Sequence, residues 1–242
     1  MYEYKATIMC DVQFDCCKVV TTAACNGHKK CLENLLKAGR TPDIADRDGW
    51  TPLAWASHNG NQDCVDILLK HGANVNLQDQ DGWSPLLKAA SEGNLNIVKT
   101  LLQNGVCLHR KNCPCSGNYE NLLNIFEMGV TIFCDATLVK MLVICGCDIH
   151  VIDKWIRRGK ILPKLLQVNQ NLLEQLCEVR CFPRSLSHIA RQAIIQNMRF
   201  PLRASIIELP LPSALKSYLM FPELDSLDIS PKLTFAETLS LI

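Results

Sequence analysis

One spacing governs this chain: 33 residues. Gly27, Gly60 and Gly93 recur at that step, as do the pairs Leu35-Leu36, Leu68-Leu69 and Leu101-Leu102. Gly39, Gly72 and Gly105 keep the same step, and Asp48-Gly49-Trp50-Thr51-Pro52-Leu53 returns as Asp81-Gly82-Trp83-Ser84-Pro85-Leu86. A fixed period of this length means one small unit copied along the chain. Such a unit is too short to bury its own apolar face and must stack on its neighbours. The chain is therefore organised as an array.

Each recurring residue has a local reason. Thr51-Pro52 and Ser84-Pro85 pair a capping hydroxyl with a proline at the first helical position, which starts a helix. Gly60 and Gly93 end that helix where a left-handed residue is needed. The leucine pairs supply the apolar face of a second helix, which Gly72 and Gly105 stop. Asp48-Gly49 and Asp81-Gly82 turn the chain back before the next unit.

This period and motif resemble the ankyrin repeat, a β-turn plus two antiparallel helices. Ala54 and Leu87 stand where the family's Thr-Pro-Leu-His has histidine, so the hydrogen bond it gives between neighbouring turns is expected to be missing, at some cost in stability. Residues 18–40 read as a first repeat with Lys18-Val19-Val20 in place of Thr-Pro-Leu, and residues 1–17 as a cap or partial repeat. From Gly105 to Gly146 the step is 41, eight more than the period. The excess falls in 113–135, as a longer finger around Pro114 to Gly117 and a loosened turn near Met128-Gly129. A half-repeat from Asp148 leads into 154–181, where Leu165, Leu166, Leu172, Leu173 and Leu176 predict one or two closing helices.

The far end carries a second pattern. Leu186, Ile189, Ala190, Ala193 and Ile194 share one helical face. Leu209-Pro210-Leu211-Pro212 is a stiff extended turn, and Leu215, Tyr218 and Leu219 restart a helix. This order resembles a SOCS box, the adaptor module of cullin-type ubiquitin ligases. Ser185, Leu186 and Ile194 match its elongin-binding part, with Ala190 where cysteine is usual. Leu209 to Pro212 match its cullin-5-selecting part at every position. The resemblance implies an all-α fold: an ankyrin-repeat solenoid over 18–183, a three-helix SOCS box over 184–221 and a tail over 222–242.

Composition narrows the class. A formal net charge of +1 argues against a general nucleic-acid binder. No run of about 18 apolar residues is present to span a membrane, and Met1-Tyr2-Glu3-Tyr4-Lys5 lacks the order of a secretory signal. A cytoplasmic or also nuclear location is expected. The 14 cysteines then read as small buried hydrophobes, Cys25, Cys31 and Cys64 among them, in a reducing compartment. Cys113, Cys115, Cys145 and Cys147, with Cys134 or His109, form a metal alternative, but C-x-C pairs fall short of the usual zinc spacing. No phosphate loop, nucleophile elbow or H-E-x-x-H occurs. No metal or cofactor is expected, and no catalytic residue.

The resemblance implies a non-catalytic adaptor. Ser185, Leu186, Ile189, Ala190, Ala193 and Ile194 would bind elongin B–elongin C. Leu209, Pro210, Leu211 and Pro212 would bind cullin-5 with its RING subunit. The finger tips and concave face would bind an unidentified substrate protein through Arg47, Asp48, Trp50, His58, Asn59, Gln80, Asp81, Trp83, Ser91 and Glu92, read as exposed positions. Trp50 and Trp83 are equivalent residues, and two readings of them stay open: a binding hot spot or filler between fingers. A plain ankyrin scaffold with a degenerate tail is the alternative function, favoured by Ala190. A shortened product that competes for the ligase core is a third.

Overall fold

The computed structural model describes residues 16–106, 108, 128–130, 135–145, 147, 166–167, 169–181, 190–191, 194 and 206–227. Among them every regular element is helical. Three helix pairs come first: α1 (Cys16–Cys25) with α2 (Lys29–Lys37), α3 (Pro52–His58) with α4 (Gln62–Lys70), and α5 (Pro85–Ser91) with α6 (Leu95–Gln103). The inner helices α1, α3 and α5 stack in one layer and the outer helices α2, α4 and α6 in another. Each spans ten residues or fewer, too short to persist alone in water, so burial between neighbours holds them. Leu32, Leu53, Leu68 and Leu101 are fully buried and Leu86 nearly so.

The repeat starts follow the sequence reading. Thr51 Oγ1 accepts from the Ala54 N–H at 3.1 Å and Ser84 Oγ from the Leu87 N–H at 3.4 Å, with Pro52 and Pro85 opening their helices. Gly49 holds φ +82°. A Cβ there would sit 2.9 Å from the Gln80 backbone nitrogen of the next finger, so the position must stay glycine.

Two asparagines tie neighbouring repeats together. Asn61 Nδ2 donates to the carbonyls of Ala24 and Cys25 at 2.9 and 2.8 Å. Asn94, 33 residues on, donates to those of Ser57 and His58 at 3.0 and 2.9 Å. Each asparagine satisfies carbonyls that the preceding inner helix leaves open at its end. Within each finger an aspartate closes the turn. Asp46 Oδ1 accepts from the Asp48 and Trp50 N–H groups, and Asp79 Oδ1 from those of Asp81 and Trp83. The other oxygen of each meets the residue after the histidine position: Trp55 Nε1 donates to Asp46 at 2.8 Å, and Lys88 Nζ lies 2.7 Å from Asp79.

Beyond Gly105 the expectation of a loosened turn at Met128-Gly129 needs correction. Residues 128–130 are helical, and Met128 and Val130 are buried. The cause is hydrophobic: they press on α7 (Ala136–Ile144), where Leu138, Val139, Met141 and Leu142 are fully buried. Asp135 caps α7, accepting from Thr137 and Leu138 at 2.7 and 3.0 Å. α8 (Gln170–Cys181) adds Leu172 and Leu176 to the same core.

The C-terminal part holds α9 (Ser213–Leu219) and a 3₁₀ helix, Pro222–Ser226. Ile206 and Leu219 make a small core of their own, with Leu209, Leu211 and Met220 against it. Phe221 and Leu224 instead join the long core of the array. The start of the expected tail is thus folded structure, because Leu224 has an apolar site to fill.

Candidate functional site

In the segment expected to bind elongin, the two described apolar residues face outward. Ala190 is exposed and Ile194 is 42 % exposed, whereas Arg191 between them is 2 % exposed. With 3.6 residues per turn, positions 190 and 194 share a side and 191 turns away. Ser185, Leu186, Ile189 and Ala193 lie outside the described residues. In the extended segment, Pro210 and Pro212 are exposed while Leu209 and Leu211 are half-buried over Ile206 and Leu219. Pro212 itself (φ −53°, ψ 147°) precedes the first turn of α9. Its alternation fits: leucines grip the small core and prolines stiffen the rim.

α9 carries Leu215, Tyr218 and Leu219 on one side, as their spacing predicts, and that side is only partly covered. Leu219 is buried and Tyr218 half-buried, but Leu215 is 50 % exposed. The small core takes in Leu219 at the end of α9, and Leu215, a turn earlier, is not part of it. Ile207 stands out too, at 60 % exposure, while Lys216 Nζ donates to its carbonyl. Ile194, Ile207 and Leu215 are the large exposed hydrophobics of the described residues, and all three fall in this part.

The concave face differs in part from expectation. Arg47, Asp48, Asn59, Gln80 and Asp81 are exposed, but Trp50, His58, Trp83, Ser91 and Glu92 are half-buried. Packing is the reason. The Trp50 ring lies 4.4 Å from Trp55 and meets His58 edge-on at 5.4 Å. Lys88 Nζ sits 3.6 Å from the centre of the Trp50 ring and 5.1 Å from that of Trp83. His58 Nδ1 is 3.5 Å from a Glu92 oxygen, and Ser91 Oγ donates to the Lys88 carbonyl. Asn59 and Gln80 hold the backbone of the preceding repeat through the Cys25 and Arg47 carbonyls. Much of this face is therefore occupied in joining repeats, leaving Arg47, Asp48 and Asp81 as its freest charges.

Asp46, Asp79, Trp55, Lys88, Asn61 and Asn94 were not among the expected site residues. The 33-residue step marks Asp46 with Asp79 and Asn61 with Asn94, but not Trp55 and Lys88, which differ in identity.

Cys25, Cys64 and Cys145 are poor nucleophiles. Burial pushes Cys64 up to about 11, helped by the neighbouring Asp63 charge, and burial likewise raises Cys25 and Cys145. Cys145 and Cys147 are buried in the core. Cys113, Cys115, Cys134 and His109 lie outside the described residues. Among the described residues, no three potential ligands converge, and no helix is long and apolar enough to cross a membrane.

Comparison with protein families agrees with this architecture. The family model for ankyrin repeats matches in three copies over residues 20–112. The model for the SOCS box matches residues 182–220. No curated protein gives a significant match. At the family level the pairing is that of a substrate-recognition adaptor for an elongin BC–cullin ligase, and both modules are typically non-catalytic. With a stacked repeat array at one end and an outward-facing box at the other, this chain belongs to the ankyrin repeat and SOCS box family.

Proposed function

We propose that this protein is the substrate receptor of an elongin B–elongin C–cullin-5 ligase with its RING subunit. The box holds the ligase core, and the array holds the substrate by Arg47, Asp48, Gln80 and Asp81 at the finger tips, with Trp50, His58, Asn59, Trp83, Ser91 and Glu92 behind them. The receptor makes no bond itself. It raises the local concentration of acceptor lysines near the charged conjugating enzyme.

One observation carries the reading: the exposed hydrophobics of the described residues gather in the box, on both sides of Leu209–Pro212. Large apolar side chains left in solvent in one part of a chain and not in the rest suit a surface that a partner covers. Elongin contacts are assigned to Ser185, Leu186, Ile189, Ala190, Ala193 and Ile194, and cullin-5 contacts to Leu209, Pro210, Leu211 and Pro212. The test is a pull-down of the full chain, since Phe221 and Leu224 belong to the array's core. Capture of elongin C and cullin-5 supports the reading, and absence of elongin C overturns it. Ala190, in place of the usual cysteine, favours a second reading, a scaffold without a ligase, which predicts that absence.

A further inference from the structure

Arg191 behaves unlike its neighbours. Its guanidinium lies 3.7 Å from the centre of the Tyr218 ring and 4.9 Å from that of Phe221. It forks onto Glu223: Nη1 donates to Oε2 at 3.0 Å and Nη2 to Oε1 at 2.7 Å. Burial alone would disfavour its charge, but the bonds to Glu223 and Tyr218 more than restore it. A charge this buried is stable only while its partners stay in place.

Those partners lie on separate pieces of chain. Arg191 belongs to the segment that presents Ala190 and Ile194, Tyr218 to α9, and Glu223 to the 3₁₀ helix. That 3₁₀ helix is fastened to the array in turn. Leu224 is fully buried in the shared core, and Asp225 Oδ1 meets Lys99 Nζ of α6 at 2.7 Å. Phe221, just before it, holds φ +54°, a left-handed conformation that a bulky residue keeps only when its surroundings impose it. Two ion pairs and two buried side chains thus connect the elongin-facing segment to the array, through Lys99 of α6 and the core that α7 shares.

We infer that Arg191 is a positioning residue: through Glu223 it fixes the bearing of the ligase-binding box on the array, and so limits which lysines the ligase can reach. This rests on the adaptor function proposed above. Proximity catalysis depends on the geometry of the tether, and a clamped joint presents one zone where a loose joint samples many.

The experiment uses the full chain assembled with elongin B–elongin C, cullin-5 and its RING subunit, with the chain's own lysines as acceptors. Lys30, Lys37 and Lys70 are exposed on or beside the outer helices and serve as reporters by mass spectrometry. Glu223→Gln keeps the shape and removes the charge, while Arg191→Lys keeps the charge and removes the fork. Both should leave elongin affinity within about threefold by calorimetry, since the pair lies on the side of the segment turned away from Ala190 and Ile194. Both should redistribute ubiquitin among the reporters, and the double variant should go no further than either single change. An unchanged lysine pattern overturns the inference. Loss of elongin binding in Glu223→Gln also overturns it, by assigning the pair to the docking face. A wild-type chain that fails to bind elongin overturns the adaptor reading itself, and the inference with it.

Discussion

The Lys88 ammonium lies 3.6 Å from the centre of the Trp50 ring, across a repeat boundary, while its charge is met by Asp79 at 2.7 Å. The lysine is only 8 % exposed, so the cation is held between an aromatic face and a carboxylate. Trp50 is thereby part of the joint between the second and third repeats. Trp50→Ala should cost roughly 2–4 kcal/mol, combining lost aromatic packing with a less well-held cation. Denaturant unfolding of the single variant checks this. Stability within 0.5 kcal/mol of wild type, about what a surface change gives, would return Trp50 to the role of a free contact residue.

Substrate recognition should then separate from stability. Arg47→Ala with Asp81→Ala alters exposed side chains and should leave the melting temperature within a few degrees, about what a fraction of a kcal/mol gives. Recovery of the bound substrate from cells should fall sharply, since rim charges set complementarity. Undiminished recovery would move the contact surface to 113–135, with Asn118, Tyr119 and Glu120 next to change.

Elongin binding should depend on the outward apolar side. Ile194→Asp places a charge on an exposed position, so the fold should tolerate it. Elongin affinity should drop by roughly 2–4 kcal/mol, as for a central anchor, with Leu186→Ala in the same range. Calorimetry with elongin B–elongin C reads both. Ala190→Cys should bind equally or better.

Cullin choice should separate from elongin binding. Pro210 and Pro212 preorganise the extended segment and so reduce its ordering cost on docking. Leu209→Ala, Pro210→Ala and Pro212→Ala together should release cullin-5 while elongin stays bound, read by co-purification. Joint loss of both would mean that the small core around Ile206 had collapsed.

Cys64 offers a pH test. Its folded pKa is raised from 9.0 to about 11, so between those values the native state holds the proton that the unfolded chain has released. Stability from this group is present below pH 9 and declines as pH rises toward 11. The stability gap between wild type and Cys64→Ala should narrow over that interval in urea titrations. A constant gap would show that the thiol is not desolvated.

The repeats were legible because their grammar is local: a cap, a proline, a glycine and a leucine pair sit within a few residues of one another. The SOCS box was legible by the same kind of short motif. What escaped was contact between distant positions. Nothing near Lys88 announces that its cation lies on a tryptophan 38 residues earlier, and nothing near Glu223 points to Arg191. The exposure of Leu215 was missed because helical periodicity gives a direction and not the extent of the core beneath it. Trp50 and Trp83 read as exposed positions, but their burial depends on packing with neighbours, Lys88 of the next repeat among them for Trp50.

The sharing of Phe221 and Leu224 with the array bears on protein engineering. A ligase-recruiting box is attractive as an interchangeable cassette, to be cut at its motif boundary and grafted onto another binding domain. Here a cut at 221 would leave a vacancy in the donor's core and strand Phe221 in solvent on the graft. A working chimera needs the acceptor repeat's matching cleft, or a phenylalanine-to-polar change at 221 and a new seat for the box.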